Sequence, residues 1–480
     1  MKSRNLSHIK EALYLFLTSV LLCLPAFHNG YPWVFSDTGT YIESAFTLLP
    51  PQDRPIGYSL FIDIFSVRYT LWTVILAQAF FLNYALYRTI RIFNQKEDSK
   101  QSTQNTSLFI HSLVVLFLTF FTSASWFVSQ VMPDIFVALT LLIIFIFIRQ
   151  KPLSSPNKTE KIFLSALLFI ATITHTANFI IAIIVLLFLS IYFFWSDRTN
   201  FMYHLKKICV LGGVVLSGTI FLATYNYHYY KVFVFNPSSS LFLIARIGET
   251  TIMKDFLETT CPKKNYMLCQ YKDQFPMGVE SYLWDPKSPL NQIGWKTSAI
   301  ENAQIIPAIF SKPSYMIIFL QDSIEKSAQL LFSMELDSFG SYQKNSPIYD
   351  KIQRHFPNEE NQFITTKQFE NKLEYKNFAS SIFVFIVGLS TTIILYFFIK
   401  KSFLKEEKIF LLLILFGVCS NTIIMGTLSG SFDRYNSRII WLIPFIAFTK
   451  VAQNLSEHHS RKNPHKNPQF KAVQRTKEKA

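Results

Sequence analysis

Apolar residues in this chain are gathered into long runs, and polar residues separate one run from the next. A helix that crosses a membrane needs about 20 mainly apolar residues, and about 17 suffice. The pattern predicts ten such spans: 11–27, 70–93, 108–126, 131–149, 162–176, 178–195, 208–226, 378–399, 409–425 and 437–453. Several are short, which fits a locally thin bilayer or shielding by neighbouring helices. We therefore expect an all-α polytopic membrane protein of about ten transmembrane helices.

Basic residues test this count, because lysine and arginine collect in the connections on the cytoplasmic side of a membrane. Every second predicted connection is basic, and so is the C-terminal tail: 91–107, 149–161, 196–207, 400–408 and 454–480. The alternation predicts that both termini are cytoplasmic. The opposite face then carries two large connections, 28–69 and 227–377.

The predicted spans divide the chain into an N-terminal transmembrane module, an extracytoplasmic loop region, a C-terminal group of three spans and a basic cytoplasmic tail. These parts cover 1–226, 227–377, 378–453 and 454–480. The basic N-terminus and first apolar run also resemble a signal peptide. No small-residue cleavage site follows cleanly, so we favour an uncleaved first helix.

The segment 305–332 in the loop region is strongly apolar, but Pro307, Pro313 and several charged residues interrupt it. This pattern favours helices that lie in the membrane interface. The alternative is an eleventh span. An extra span would invert the later topology, and the basic connection 400–408 argues against that.

The composition agrees with a membrane protein, since 16% of the residues are charged and soluble domains carry about a quarter. The net charge of +15 comes from lysine and arginine at the ends of apolar runs, so we expect no nucleic-acid partner. The frequent Phe, Ile, Lys and Asn residues, and the N-x-S/T sequons confined to the predicted inner face, suit a bacterial cytoplasmic membrane. The basic tail is expected to be solvated or to contact lipid headgroups.

Three of the five cysteines lie in apolar runs, whereas Cys261 and Cys269 lie in a polar stretch on the predicted outer face. The short separation and an oxidising compartment favour a disulfide between them. The alternative is two free thiols. The sequence has no CxxC motif or histidine cluster that would indicate a metal site.

The first large connection concentrates side chains suited to chemistry. Asp37 lies among aromatic residues soon after the first span, where a partly desolvated carboxylate can accept a proton from a hydroxyl group. Asp37 is equally well placed as a helix N-cap, and the two roles are compatible. Arg54 carries a planar guanidinium suited to phosphate, although a salt bridge to Asp53 or an interfacial anchor explains it more simply.

The stretch that leads into the second helix resembles a motif of the GT-C superfamily of membrane glycosyltransferases. Within that superfamily, protein O-mannosyltransferases and the lipid A aminoarabinose transferase have an acidic residue in the first outer loop, here Asp37 with Tyr41 nearby. They often have an Arg-Pro-Pro-Gly-Tyr-Pro-like stretch as well. Four positions match it: Arg54, Pro55, Gly57 and Tyr58. Ile56 and Ser59 depart from it.

Three further stretches resemble this family more weakly. Asp134 opens the fourth span, where the family often has an acidic residue, although an N-cap after Pro133 is the simpler explanation. The stretch 312–315 resembles a His/Lys-Pro-x-Tyr stretch that precedes an interfacial helix. Arg434 and Tyr435 resemble an Arg-Tyr stretch ahead of the closing helix, which here contains Pro444.

The resemblance implies transfer of a sugar on the outer face, from a polyprenyl-phosphate donor to a glycan, lipid or protein acceptor, usually with inversion. Asp37 would be the base that activates the acceptor hydroxyl. The implied donor-phosphate ligands are Arg54, Arg434 and Arg438, and the further substrate contacts are Tyr41, Tyr58, Asp134 and Tyr435. Some family members use a divalent metal. The acids that could bind one are Asp37, Glu43, Asp53 and Asp134.

His175, near a predicted outer turn, could contact the ligand, but a hydrogen-bonded structural role is the simpler reading. Two other functions remain open. A transporter or flippase of a lipid-linked saccharide would favour internal repeats and charged residues at mid-membrane. A polymerase or ligase of the O-antigen type would have its large loop late in the chain. The early loop that holds Asp37 and Arg54 favours the glycosyltransferase.

Overall fold

The computed structural model describes residues 2–94, 100–149 and 158–462. These ranges are almost entirely helical and contain no β-strand, only an isolated bridge between Trp33 and Gln130. The prediction of an all-α protein is confirmed. Parts of the predicted basic connections 91–107 and 149–161, and most of the tail, lie outside the described residues.

Eleven α-helices precede the large loop region in the described part of the chain. They are α1 (Lys2–Leu22), α2 (Leu24–Asn29), α3 (Thr38–Thr47), α4 (Gly57–Ser66), α5 (Trp72–Phe93), α6 (Lys100–Phe121), α7 (Ala124–Val128), α8 (Ile135–Ile148), α9 (Lys158–Thr174), α10 (Thr176–Ser196) and α11 (Phe201–Tyr230). The predicted first outer loop therefore contains two short helices, α3 and α4, instead of irregular chain.

The loop region and the C-terminal part are also helical. The loop region holds α12 (Ser239–Gly248), α13 (Thr251–Thr260), α14 (Val279–Trp284), α15 (Pro289–Ile293), α16 (Trp295–Phe310), α17 (Pro313–Phe332), α18 (Pro347–His355) and α19 (Glu360–Ile364). The C-terminal helices are α20 (Glu374–Ile399), α21 (Lys405–Leu428), α22 (Arg434–Ile440) and α23 (Leu442–Lys462).

Six helical segments in the described ranges are long and apolar enough to cross a membrane. They lie at Gln104–Phe121, Thr176–Ser196, Arg198–Tyr230, Glu374–Ile399, Lys405–Leu428 and Arg434–Glu457. A seventh arises if α16 and α17, which meet at 98°, count as one broken span. The remaining predicted spans correspond to α1 and α5, which are more polar, and to α8 and α9, which are shorter. The structure is consistent with a multi-pass membrane protein, and the count of ten stays a prediction.

Helix α8 is short because it lies at the centre of the bundle. All of its 14 residues are buried, and α5, α9 and α21 are among the helices that pack around it. At about 1.5 Å per residue it is roughly 21 Å long. A helix that is apolar on every side is stable only when it is enclosed in this way. Shielding by neighbours therefore accounts for at least this short run.

The two ends of the bundle differ in chemistry. At the end of α8, Arg149 pairs with Glu406 of α21 at 2.8 Å, and the Lys207 Nζ donates to the Ile148 carbonyl at 3.1 Å. We call this end the basic layer. At the start of α8, Asp134 pairs with Arg438 of α22 at 3.0 Å. We call that end the site layer, and the length of α8 separates the two.

The predicted loop region divides into two parts. Helices α12–α16 and the start of α17 enclose a separate apolar core, and Cys261 and Cys269 are joined by a disulfide with an S–S distance of 2.05 Å. The fully buried Arg246 ties this core to α17 by pairing with Asp322 at 2.5 Å. Farther along the chain, α18 packs on α3, so the second part of the region lies over the first predicted loop.

Candidate functional site

The Arg-Pro-x-Gly stretch is a close-packing motif in this fold. Gly57 begins α4 where that helix meets the end of α9, and a Cβ atom added at Gly57 would lie 2.1 Å from the Ile173 carbonyl oxygen. Only glycine allows this approach. The contact brings Arg54, three residues earlier, toward the turn that contains His175.

Asp37 and Arg54 of the first large connection meet Arg434, from near the end of the chain, in the site layer. The Asp37 Oδ2 lies 2.8 Å from the Arg54 Nη1 and 3.7 Å from the Arg434 Nη2. Arg54 also binds Asp53, with its Nε 3.0 Å from the Oδ2. The Asp37 side chain is 21% exposed and the two arginine side chains 11% and 12%. The cluster is therefore recessed but open to a ligand.

Neither of the two predicted N-cap carboxylates caps its helix. Asp37 precedes α3 and Asp134 precedes α8, yet within the described chain neither side chain accepts a bond from the first amides of its helix. Each carboxylate binds arginine instead. Charge-assisted bonds of this kind are stronger than ordinary cap bonds. The alternative in which these acids cap their helices is therefore wrong for both of them.

The charge state of Asp37 is set by its two arginines. Burial raises the pKa of this carboxyl, but the guanidinium groups of Arg54 and Arg434 more than offset that effect, so the pKa falls below its ordinary value of 3.8. Asp37 is therefore ionised at neutral pH. An ionised carboxylate can accept a proton, although a low pKa makes it a weak base until the positive charge beside it is reduced.

Arg434 has hydrogen-bonding capacity to spare. Its guanidinium lies over the rings of Phe35 and Tyr435, at 4.4 and 5.1 Å from their centres. Its Nη1 is buried and has no hydrogen-bond partner among the described residues. Because a buried N–H group without a partner is costly, this nitrogen is a natural donor to an anionic ligand.

Arg438 lies deeper, and both of its terminal nitrogens have partners. Its Nη1 is 3.0 Å from the Asp134 Oδ1 and its Nη2 is 3.0 Å from the Asn421 Oδ1, and both charged side chains are almost completely buried. A buried and paired arginine of this kind ties α8, α21 and α22 together. Asp134 and Arg438, expected to contact substrate, are therefore better described as the support beneath the site.

The tyrosines of the site hold its arginines. The Arg54 guanidinium lies 5.1 Å from the centre of the Tyr41 ring, and Tyr41 packs edge-on against Tyr58 at 4.9 Å. Tyr58 donates its hydroxyl to the Gln78 Oε1 at 2.6 Å. Tyr435 lies beside both Arg434 and Arg438. Cation–π contacts restrict where a guanidinium can point, so these rings position the arginines.

His175 has the hydrogen-bonded structural role that the sequence favoured. It is the N-cap of α10, and its Nδ1 accepts a bond from the Ala177 amide at 3.1 Å. The site charges of Asp134 and Arg438 still act on this partly buried ring. His175 therefore fixes the turn against which Gly57 packs, close to the site but in a supporting position.

Two residues of the site were not predicted. The Tyr342 hydroxyl accepts a bond from the Ser36 amide at 3.0 Å and so lies next to Asp37. No local pattern marks Tyr342, which comes from the loop region packed over α3. Asn421 was recognisable in principle, because a polar residue in an apolar run indicates a buried partner.

The acids named as possible metal ligands do not form a metal site. Asp37 and Asp53 pair with Arg54, Asp134 pairs with Arg438, and Glu43 binds Lys351 at 2.6 Å. The described residues contain no group of three or more His, Cys, Asp or Glu side chains that could hold an ion. Since cations already surround these carboxylates, the residues do not fit a divalent metal, and no chemical step is assigned to one.

Comparisons with protein-family models, with curated proteins and with solved structures each gave no match.

Proposed function

We propose that this protein is a membrane glycosyltransferase of the GT-C type, which transfers a sugar from a polyprenyl-phosphate donor to a glycan, lipid or protein acceptor at the site layer. The convergence of Asp37 with Arg54 and Arg434 supports this most directly. An acceptor hydroxyl requires a base, and a phosphate leaving group requires positive charge. In this recessed cluster, Asp37 would be the base, and Arg54 and Arg434, both within 4 Å of it, would supply the positive charge.

The two arginines would bind the donor phosphate. A guanidinium offers paired N–H donors that match phosphate oxygens, and the Arg434 Nη1 has a donor to spare. Tyr41 and Tyr435 hold the two guanidinium groups from beneath. The hydrophobic tail of the donor would stay in the membrane while its phosphate reaches the cluster.

Donor binding would also activate Asp37. The phosphate charge offsets the guanidinium charges, so the pKa of Asp37 rises toward its ordinary value and the carboxylate becomes a stronger proton acceptor. The acceptor oxygen attacks the anomeric carbon as the bond from that carbon to the phosphate oxygen breaks. The electron pair leaves with the phosphate, and the hydroxyl proton passes to Asp37. This single displacement inverts the anomeric configuration.

We propose further that α1, α5, α8 and α9 complete a bundle of ten spans in a bacterial cytoplasmic membrane, with both termini in the cytoplasm. Contacts near the two ends of the chain support this. Glu11 of α1 lies 3.5 Å from Arg91 of α5, and Gln453 of α23 donates to Asn94 at 2.9 Å. Both ends of the chain therefore approach the end of α5. The positive-inside rule assigns the basic layer to the cytoplasm.

The decisive experiment incubates purified protein with a panel of polyprenyl-phosphate sugars and follows donor loss by mass spectrometry. We expect turnover by the wild type and by Glu43→Gln, since Glu43 is an acid of α3 that binds Lys351 outside the cluster. Asp37→Asn should lose at least about 100-fold in rate, the scale of a missing general base.

The other outcomes separate the rival functions. Equal turnover by Asp37→Asn would assign the base elsewhere. No turnover by folded wild-type protein, combined with movement of a lipid-linked saccharide across vesicles, would replace the transferase by a transporter.

A further inference from the structure

A groove outside the proposed catalytic site opens between α9 and α11 at the basic layer. Its cavity volume is about 720 Å³, and Phe147 of α8 lies at its wall. Apolar side chains of the two helices line its length, among them Ile162, Phe169, Val210 and Val214. Ile162 and Val210 are more than half exposed. The groove therefore presents apolar surface along the outside of the bundle.

The shape of the groove follows from how the two helices pack. Both begin at the basic layer and run side by side toward the site layer. They close together at Gly218, where an added Cβ would lie 3.1 Å from the Thr172 Cγ2. The residues of α9 and α11 that line the groove all precede this contact along their helices. The groove therefore lies on the basic-layer side of the contact at Gly218.

Three lysines border the groove at the basic layer. Lys161 belongs to the first turn of α9, and Lys206 and Lys207 belong to α11. The Lys207 ammonium donates to the Ile148 carbonyl at 3.1 Å and lies 4.2 Å from the Tyr203 ring centre. Lys161 and Arg149 add positive charge around this ammonium. Several positive charges at one end of a groove favour an anion there.

We propose that this groove binds an anionic phospholipid of the membrane leaflet at the basic layer. The headgroup phosphate lies among Lys161, Lys206 and Lys207, and an acyl chain extends along the apolar wall toward Gly218. Basic residues next to apolar helix grooves on the cytoplasmic side are suited to lipid headgroups. This lipid groove is distinct from the cluster at Asp37, because the lengths of α8 and α9 separate the basic layer from the site layer. The proposed lipid binding does not depend on the proposed sugar transfer.

Native mass spectrometry of the purified full-length protein tests this proposal, with phosphatidylglycerol and phosphatidylcholine of identical acyl chains as probes. We expect the wild type to retain phosphatidylglycerol in preference to phosphatidylcholine. The variant with Lys161→Gln, Lys206→Gln and Lys207→Gln should weaken phosphatidylglycerol binding by about tenfold or more. The matched control carries Lys400→Gln, Lys401→Gln and Lys408→Gln, which remove equal charge from exposed positions of another connection, and should bind like the wild type.

A second variant distinguishes lipid binding in the groove from lipid binding to diffuse surface charge. Val214→Trp fills the apolar groove and leaves all three lysines in place, so it should also reduce phosphatidylglycerol binding. Equal losses in both lysine variants, or unchanged binding in Val214→Trp, would overturn the proposal. So would equal retention of the two lipids by the wild type. A single symmetric elution peak for each variant confirms that it is folded.

Discussion

At the scale of single residues, an acid that precedes a helix can cap that helix or pair with a cation. The charges that lie near the acid determine which of the two it does. Asp37 and Asp134 both stand directly before a helix, where capping is usual. In each case an arginine of α22 lies within 4 Å of the carboxylate. A carboxylate that leaves water is stabilised far more by a full positive charge than by one amide. Helix α22 thus helps to determine the role of acids more than 300 positions earlier in the chain, which local sequence does not reveal.

Arg434→Gln tests the electrostatic coupling at the site. A carboxyl with a depressed pKa stays ionised until the pH falls through that pKa. Removing the Arg434 charge raises the pKa of Asp37, because one of its two stabilising guanidiniums is lost. The acidic limb of the pH profile of kcat/KM should therefore move to higher pH, and kcat/KM at neutral pH should fall by about 10²–10³-fold.

Arg434→Lys is the matched control, because it keeps the charge and loses the planar fork. Its acidic limb should stay near that of the wild type even if its rate falls. If the acidic limb of the pH profile of kcat/KM does not move in Arg434→Gln, Asp37 is not the group whose ionisation controls the reaction.

At the scale of elements, the apolar runs and the local sequence motifs predicted different features of the fold. Apolar runs located the helices of the bundle, and the Arg-Pro-x-Gly stretch marked the start of α4. The convergence of these elements was not predictable from spacing, since it depends on the packing of α4 against α9 and of α22 against α8 and α21. The loop region was the least predictable, because its two parts are defined by long-range contacts such as that of Arg246 with Asp322.

Gly57→Ala tests whether the α4–α9 contact builds the site. The added Cβ would lie 2.1 Å from the Ile173 carbonyl oxygen, so α4 must move away from α9 and carry Arg54 with it. We expect a loss of about 1–3 kcal/mol in stability, the usual cost of overpacking, together with reduced turnover. Thermal unfolding in detergent measures the first effect, and the donor assay measures the second.

The control for this change is Gly388→Ala in α20, where an added Cβ meets no atom within 4 Å. Alanine is a better helix former than glycine, so this variant should be as stable as the wild type or slightly more so. If Gly57→Ala also behaves like the wild type, the close approach is not what positions Arg54.

At the scale of the whole molecule, the two ends of the helical bundle carry different groups of charged residues. The site layer holds Asp37 and the arginine cluster, whereas the basic layer holds the lysine-bordered groove. The two helices that join the layers most directly, α8 and α9, are shorter than the roughly 30 Å apolar core of a bilayer requires. In the proposed orientation, a short path of this kind would place the site below the level of the outer membrane surface, where the phosphate of the proposed lipid-linked donor could reach it.

Cysteine labelling tests this arrangement across the membrane. In a background with Cys23→Ser, Cys209→Ser and Cys419→Ser, which leaves the disulfide intact, Lys372→Cys and Lys401→Cys each place one thiol at an exposed position. Lys372 precedes α20 and Lys401 follows it, so one passage of α20 separates them. If the site layer faces outward, a membrane-impermeant maleimide labels Lys372→Cys in intact cells and labels Lys401→Cys only after permeabilisation. The reverse pattern would place the Asp37 cluster on the cytoplasmic face, where it would meet nucleotide-linked sugars before any outward-facing lipid donor. Labelling of both positions in intact cells would mean that α20 does not span, and the bundle of ten spans would have to be abandoned.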